Sequence, residues 1–330
     1  MAQRTSVLSC PFVSAYSLLP NLDPRSLEFR SLRLCASVNY AVSLTLLQSQ
    51  MTPRAVLRTT AVFATVFATA CAAKEVPPPP PPNVVSVHAT DYAFHAPASI
   101  PSGMTTFKLA NGGQTFHHII IARLDSGKTV ADAQAAFAKP GPPPAWLANI
   151  GGPNASDPNG ESNATLDLQP GEYVLYCVVD LPGGVPHVAK GMISALTVTP
   201  STGPAAAAPT ADIDLELFDY NFALSKPVTA GSHTFKVSTR AGAQPHEVEL
   251  MKLAEGKTAD DFMKWMGGKM DTPPPVSGIG GALALVPGGQ PVYFTADFTP
   301  GEYMIVCFVP DSKDGKPHVM HGMMQSFKVQ

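Results

Sequence analysis

The second half of this chain rewrites the first. Asp91-Tyr92-Ala93-Phe94 recurs as Asp219-Tyr220-Asn221-Phe222, and Thr106-Phe107-Lys108-Leu109 as Thr234-Phe235-Lys236-Val237. Gly127-Lys128-Thr129 returns as Gly256-Lys257-Thr258, Ile150-Gly151-Gly152 as Ile279-Gly280-Gly281, and Pro170-Gly171-Glu172-Tyr173 as Pro300-Gly301-Glu302-Tyr303. The offset between partners grows only from 128 to 131, so few insertions separate the copies. A period this long repeats a whole domain rather than a solenoid turn. A chain of 330 residues has room for two such domains. The expected boundaries are 84–199 and 211–330. Residues 200–210 (PSTGPAAAAPT) lack apolar periodicity and read as the linker.

Each copy reads mainly as strands. In the first, short β-rich runs fall at 84–88, 105–109, 119–123, 163–168, 173–178 and 193–199. In the second they fall at 213–218, 233–238, 247–253, 291–298, 303–309 and 325–329. Many are bounded by Gly, Pro, Asn or Ser. Residues 129–138 and 258–266 read as short helices, each with Thr as N-cap and Asp soon after. The fold class that follows is all-β: two tandem Greek-key β-sandwich domains, each with a short helical insertion.

Composition narrows the function. The net charge is −3, with no basic footprint for nucleic acid. Charged residues are 14% against 45% hydrophobic, which is not the balance of a disordered chain. Much of the proline sits in short tracts that mark linkers. No run of 18 or more uninterrupted apolar residues occurs, as a multi-span membrane protein requires. Cys10, Cys35, Cys71, Cys177 and Cys307 are far apart and form no C-x-x-C, which excludes a zinc ribbon, a thioredoxin motif and a c-type haem site.

The N-terminal region carries a targeting pattern. From Met51, Arg54 and Arg58 precede a mostly apolar decad at 61–70, and Ala68-Thr69-Ala70 precede Cys71. Residues 51–71 therefore read as a secretory signal. With Cys directly after the small residues, the signal resembles that of bacterial lipoproteins, which implies a lipidated Cys71 as the mature N-terminus. An ordinary signal peptide is the alternative, and either reading exports the protein. Residues 1–50 would mask such a signal and read as an upstream-start extension, or as a transit-like segment of their own. Residues 72–83 contain a six-proline run, a stiff spacer. The expected location is periplasmic or at the cell surface, anchored to a membrane through lipid. In a Gram-negative cell that is the outer membrane.

Four positions carry metal-binding chemistry in each copy. They are His117, Cys177, His187 and Met192 in the first, and His246, Cys307, His318 and Met323 in the second. Taken singly, such a Cys is commonly a small buried hydrophobe. Taken together, the His…Cys…His…Met order resembles the cupredoxins, the blue-copper family, over each whole unit. Pro186-His187-Val188-Ala189-Lys190-Gly191-Met192 is similar to the type 1 copper loop of copper nitrite reductases, and Pro317-His318-Val319-Met320-His321-Gly322-Met323 has the same form. The resemblance implies one copper per copy. Two imidazoles and a thiolate suit both Cu(I) and Cu(II), and a weak axial Met tunes the potential. The Cys-to-His spacing, with nine and ten residues between, is longer than in the small carriers of the family.

The related copper enzymes place a His immediately before the Cys, where this chain has Tyr176 and Val306. That departure implies a protein that is not an enzyme: an electron carrier working with a redox partner protein. A copper-holding or delivery protein and a copper-free scaffold module are the alternatives. His118 beside His117 has no counterpart in the second copy, where Glu247 stands. Met320, His321 and Met324 crowd the second site as loop packing or a soft Cu(I) fringe.

Overall fold

The structure is a computed structural model and describes residues 78–330, apart from 140, 182–183 and 269–271. The expectations for 1–50, for the export signal at 51–71 and for Cys71 lie outside the described residues. The first copy contains β1 (Asn83–Thr90), β2 (Ala93–His95), β3 (Ser99–Pro101), β4 (Gly103–Asn111), β5 (Ile120–Leu124), α1 (Val130–Phe137), β6 (Leu147–Gly151), β7 (Glu161–Leu168), β8 (Gly171–Tyr176), β9 (Asp180–Leu181), β10 (Val185–Pro186) and β11 (Ile193–Thr199). The second contains β12 (Ile213–Phe218), β13 (Asn221–Leu224), β14 (Gly231–Thr239), β15 (His246–Leu253), α2 (Ala259–Met266), β16 (Val276–Leu285), β17 (Val292–Phe298), β18 (Gly301–Val306) and β19 (Met324–Val329). Among the described residues, no helix is long and apolar enough to cross a membrane.

The period-2 patterns form the strands. β1 buries Val85, Val87 and Ala89 and exposes the residues between them, as a strand covered on one face does. β15 is buried along nearly its whole length, including Glu247 and Glu249, because it is covered on both faces. An eight-stranded sheet of order β13-β12-β14-β17-β7-β4-β1-β2 runs through both copies. The join is β17 on β7, where Tyr293 faces Thr165. The Asn163 side chain completes it, donating Nδ2–H to Thr295 O at 2.7 Å and accepting Thr295 N–H at 2.9 Å.

The remaining strands form β3-β11-β8-β5-β6 in the first copy and β16-β15-β18-β19 in the second. Phe107 and Leu166 of the shared sheet pack with Leu175 and Leu196 of the five-stranded one, so the copy is a sandwich with the core between its sheets. The expected all-β class holds, with one short α-helix in each copy.

Recurrent motifs acquire structural reasons. Each Pro-Gly-Glu-Tyr turn ends in a tyrosine whose hydroxyl reaches back four residues, Tyr173 to Gln169 O at 2.7 Å and Tyr303 to Thr299 O at 2.8 Å. This corner locks the start of the strand that delivers the cysteine. Both helices begin with a reciprocal capping box, Thr129 with Asp132 and Thr258 with Asp261. The Gly-Gly repeat marks a close backbone approach. Gly152 and Gly281 sit at φ +145° and +133°, and an added Cβ would stand 1.9 Å from Ile119 O and Val248 O respectively. β16, rich in glycine, has no counterpart among the expected strands, since glycine dilutes the β-pattern. Gly281→Ala must displace β15 and take a left-handed backbone at once. It should lower unfolding stability by at least about 2 kcal/mol in a denaturant titration.

Candidate metal centres

The site begins where β8 and β18 end. Cys177 and Cys307 follow directly, and the chain then leaves on a long excursion. It returns by two backbone bonds in each copy. In the first, His187 N donates to Val179 O at 2.9 Å and Val188 N to Cys177 O at 2.7 Å. In the second, His318 N donates to Val309 O at 3.0 Å and Val319 N to Cys307 O at 2.8 Å. The excursion is thus pinched off, as the β9–β10 hairpin in one copy and the Pro310–Pro317 bridge in the other. Extra loop length leaves the Cys–His geometry intact.

His187 and His318 open single 3₁₀ turns closed by Gly191 and Gly322 at φ 99° and 90°. That reversal places Met192 and Met323 immediately after, and their carbonyls accept from Cys177 N at 3.2 Å and Cys307 N at 3.3 Å.

All eight residues are 0% exposed. In each copy the donor atoms of the two histidines and the cysteine lie within 4.8 Å of one another. His117 Nδ1 and His187 Nδ1 are 3.1 Å apart, and Cys177 Sγ is 3.5 Å from His187 Nδ1. His246 Nδ1 and His318 Nδ1 are 3.1 Å apart, with Cys307 Sγ at 3.8 and 3.4 Å from them.

The outer nitrogens fix the tautomers. His117 Nε2 meets Asp91 Oδ1 at 3.2 Å, and His246 Nε2 meets Asp219 Oδ1 at 3.1 Å. An ionised carboxylate only accepts, so Nε2 carries the proton and Nδ1 turns a bare lone pair inward. Two buried nitrogens then face each other beside a sulfur. That arrangement is satisfied by a cation with nitrogen and sulfur ligands at about 2.0–2.3 Å.

The sulfurs are prepared as well. Backbone N–H groups of His118 and Val179 approach Cys177, and those of Glu247 and Val309 approach Cys307. Burial nevertheless pushes the Cys177 thiol up to about 12 and the Cys307 thiol higher still. Burial also pulls His187 down to about 4, and lowers His117, His246 and His318.

The structure changes the reading of His118. Its Nε2 accepts Val178 N–H at 3.0 Å, and Glu247 Oε1 accepts Phe308 N–H at 2.9 Å. His118 and Glu247 are therefore counterparts, each tying down the residue after its cysteine. Around the second site, Met324 packs into an apolar cluster, Met320 is 52% exposed, and His321 pairs with Asp314 at 3.1 Å.

The Asp-Tyr-x-Phe repeat also gains a role that sequence reasoning left unassigned. Its Asp holds the first histidine. Its Tyr stands edge-on to the second, Tyr92 to His187 at 5.4 Å and Tyr220 to His318 at 5.6 Å. Identity of a polar pair in both copies was the available signal.

No family model matches the chain, and no curated protein does. Similar solved structures include reduced auracyanin from Roseiflexus castenholzii, at 22% identity over 37% of this chain and 100% of that one, TM-score 0.27. A multicopper oxidase is 14% identical over 75% of this chain and 88% of its own, TM-score 0.22. The copper-containing nitrite reductase of Thermus scotoductus is 11% identical over 75% of this chain and 61% of its own, TM-score 0.20. The likeness stops at the fold, and the case for copper stands on the donor set. Two imidazoles and one thiolate, brought together in a buried pocket, fit a type 1 copper site, and Met192 and Met323 follow directly on the turns that carry the second histidines.

The comparisons correct one expectation. A nitrite reductase and multicopper oxidases stand among the similar structures, so the expectation that the chain is not an enzyme does not hold.

The pKa directions predict a proton count. At neutral pH the histidines are already neutral and the thiols protonated, so copper must displace one proton per centre. Cu(I) affinity should therefore rise about tenfold per pH unit between about pH 6 and 9. Calorimetry in buffers of different ionisation heat, run anaerobically, reads the proton directly. A count of two or three would mean that a histidine is charged in the free protein.

Proposed function

We propose that the chain is an exported copper-binding electron-transfer protein with one type 1-like copper per copy, exchanging electrons with a redox partner protein. The observation that carries the reading is the convergence, twice, of two inward-facing Nδ1 atoms and one cysteine sulfur in a fully buried pocket. His117, Cys177 and His187 would hold the first ion with Met192 behind them; His246, Cys307 and His318 would hold the second with Met323. Copper supplies the one-electron couple. The protein's own contribution is to orient the imidazoles through Asp91 and Asp219, to exclude water, and to keep the ligands still between the two oxidation states.

Copper titration of the full chain should saturate at two equivalents with an intense visible band from thiolate-to-copper charge transfer. Cys177→Ser together with Cys307→Ser should abolish the band, at a stability cost of about 1–2 kcal/mol per site. Copper uptake without colour would overturn electron transfer in favour of copper holding. No uptake would leave a copper-free module.

Export and anchoring extend the proposal through the 51–71 signal and Cys71. The expressed protein should fractionate with membranes, and Cys71→Ser should release it or block its processing. A wild-type protein found wholly in the soluble periplasmic fraction would overturn the anchor.

A further inference from the structure

The two centres are alike in their ligands and unlike beside each histidine: His118 stands against Glu247 next to the first, and a second difference lies next to the second. Backbone pairing fixes the correspondence. In the first copy the pinched hairpin pairs Pro186 with Asp180 and Val185 with Leu181. In the second, Pro317 bridges Pro310, and Asp311 N donates to Lys316 O at 2.8 Å. Leu181 and Asp311 therefore occupy the same place.

Asp311 is a buried carboxylate. Its side chain is 1% exposed, and its Oδ2 lies 3.7 Å from His318 Nε2, whose side chain is 0% exposed. That separation is an electrostatic contact rather than a hydrogen bond. The charge is held in place by donors: Tyr220 Oη at 2.5 Å and Gln244 Nε2 at 2.9 Å on Oδ2, and Lys313 N at 2.8 Å on Oδ1. Three donors on its two oxygens, one of them a tyrosine hydroxyl, favour the ionised form of the carboxyl.

In the first copy Tyr92 and Gln114 stand where Tyr220 and Gln244 stand in the second. Each tyrosine is edge-on to its histidine, and the backbone N–H groups of Gln114 and Gln244 donate to Asp91 and Asp219 respectively. The donors are present, but Leu181 offers no acceptor. His187 Nε2 and His318 Nε2 are both buried without a hydrogen-bond partner among the described residues, and it is the second that has a carboxylate 3.7 Å away. Nearby basic side chains do not cancel Asp311. Lys316 is 67% exposed, and His321, at 31%, is engaged by Asp314, so solvent and that carboxylate screen them.

We propose that Asp311 sets the second copper centre at a lower reduction potential than the first, making the two coppers of one chain thermodynamically unequal. A buried negative charge beside a ligand favours the more positive, oxidised ion. An electron entering the chain then comes to rest at the His117–Cys177–His187 centre. One electron leaves Cu(I) at the second centre and reduces Cu(II) at the first, with no proton moved. The inference rests on the two-copper reading above and goes beyond it by giving the pair a direction.

The test is an optical redox titration of the copper-loaded full chain, following the charge-transfer band. Two waves are expected, and Cys177→Ser should leave only the lower. Asp311→Asn should raise the lower wave and leave the upper one in place. Leu181→Asp, which supplies the acceptor that Tyr92 and Gln114 lack, should lower the upper wave. This second variant keeps the test decisive if Asp311→Asn fails to fold. Coincident waves, or an Asp311→Asn variant that moves neither wave or both equally, would overturn the inference alone. A chain that takes up no copper overturns the two-copper reading and this inference with it.

Discussion

Everything about these sites depends on two backbone hydrogen bonds per copy. His187 to Val179 and Val188 to Cys177, with His318 to Val309 and Val319 to Cys307, stitch the returning loop onto the end of the cysteine strand. Once those rungs form, the distance between the thiol and the second imidazole no longer depends on how many residues intervene. Closing a longer loop costs little, because the entropy grows only logarithmically with length. The stitch also buries the donor atoms, and burial raises the thiols and lowers the imidazoles. Burial thus leaves the donor atoms themselves uncharged at neutral pH, with the carboxylates set behind them.

A second constraint acts from the opposite side. The Asp-Tyr-x-Phe turn reaches both histidines of its site, one through a carboxylate and the other through a ring edge. Tyr92 and Tyr220 adopt φ 66° and 63°, a left-handed conformation that costs a residue with a Cβ about 1 kcal/mol or more. The same cost is borne at the same place in both copies. It is offset by what the turn does: it orients one imidazole, roofs the other, and sends Phe94 or Phe222 into the core. Rigidity of this kind keeps ligand movement small when an ion changes oxidation state.

Much of this was legible in the sequence, because duplication separates signal from background. The His…Cys…His…Met order, the strand runs, the capped helices and the Pro-Gly-Glu-Tyr corner each occur twice at nearly constant offset. What was not legible needed contacts in space. His118 and Glu247 have unlike side chains, and only the shared acceptance of a backbone N–H after the cysteine reveals them as one position. Asp91 and Asp219 stood in a visible motif, but their partners are 26 and 27 residues further on. β16 was hidden by the glycines it needs to lie against β15 and the first copy.

The same physics explains where the copies were free to diverge. Residues 153–157 of the first copy run against the second: Asn154 Nδ2 donates to Val248 O, Ala155 N to Glu249 Oε2, and Asp157 Oδ1 accepts Gly278 N–H. Ser156 in that segment also bridges His117. A change in these strands would strain a site and an interface together. Residues beyond the stitch carry no such burden, since the two rungs hold the ligands whatever the excursion contains. Leu181 against Asp311 and Val185 against Lys316 fall in that region. Divergence there alters the charge around a second histidine without moving a ligand atom, and so it can make two centres of one shape electrically different.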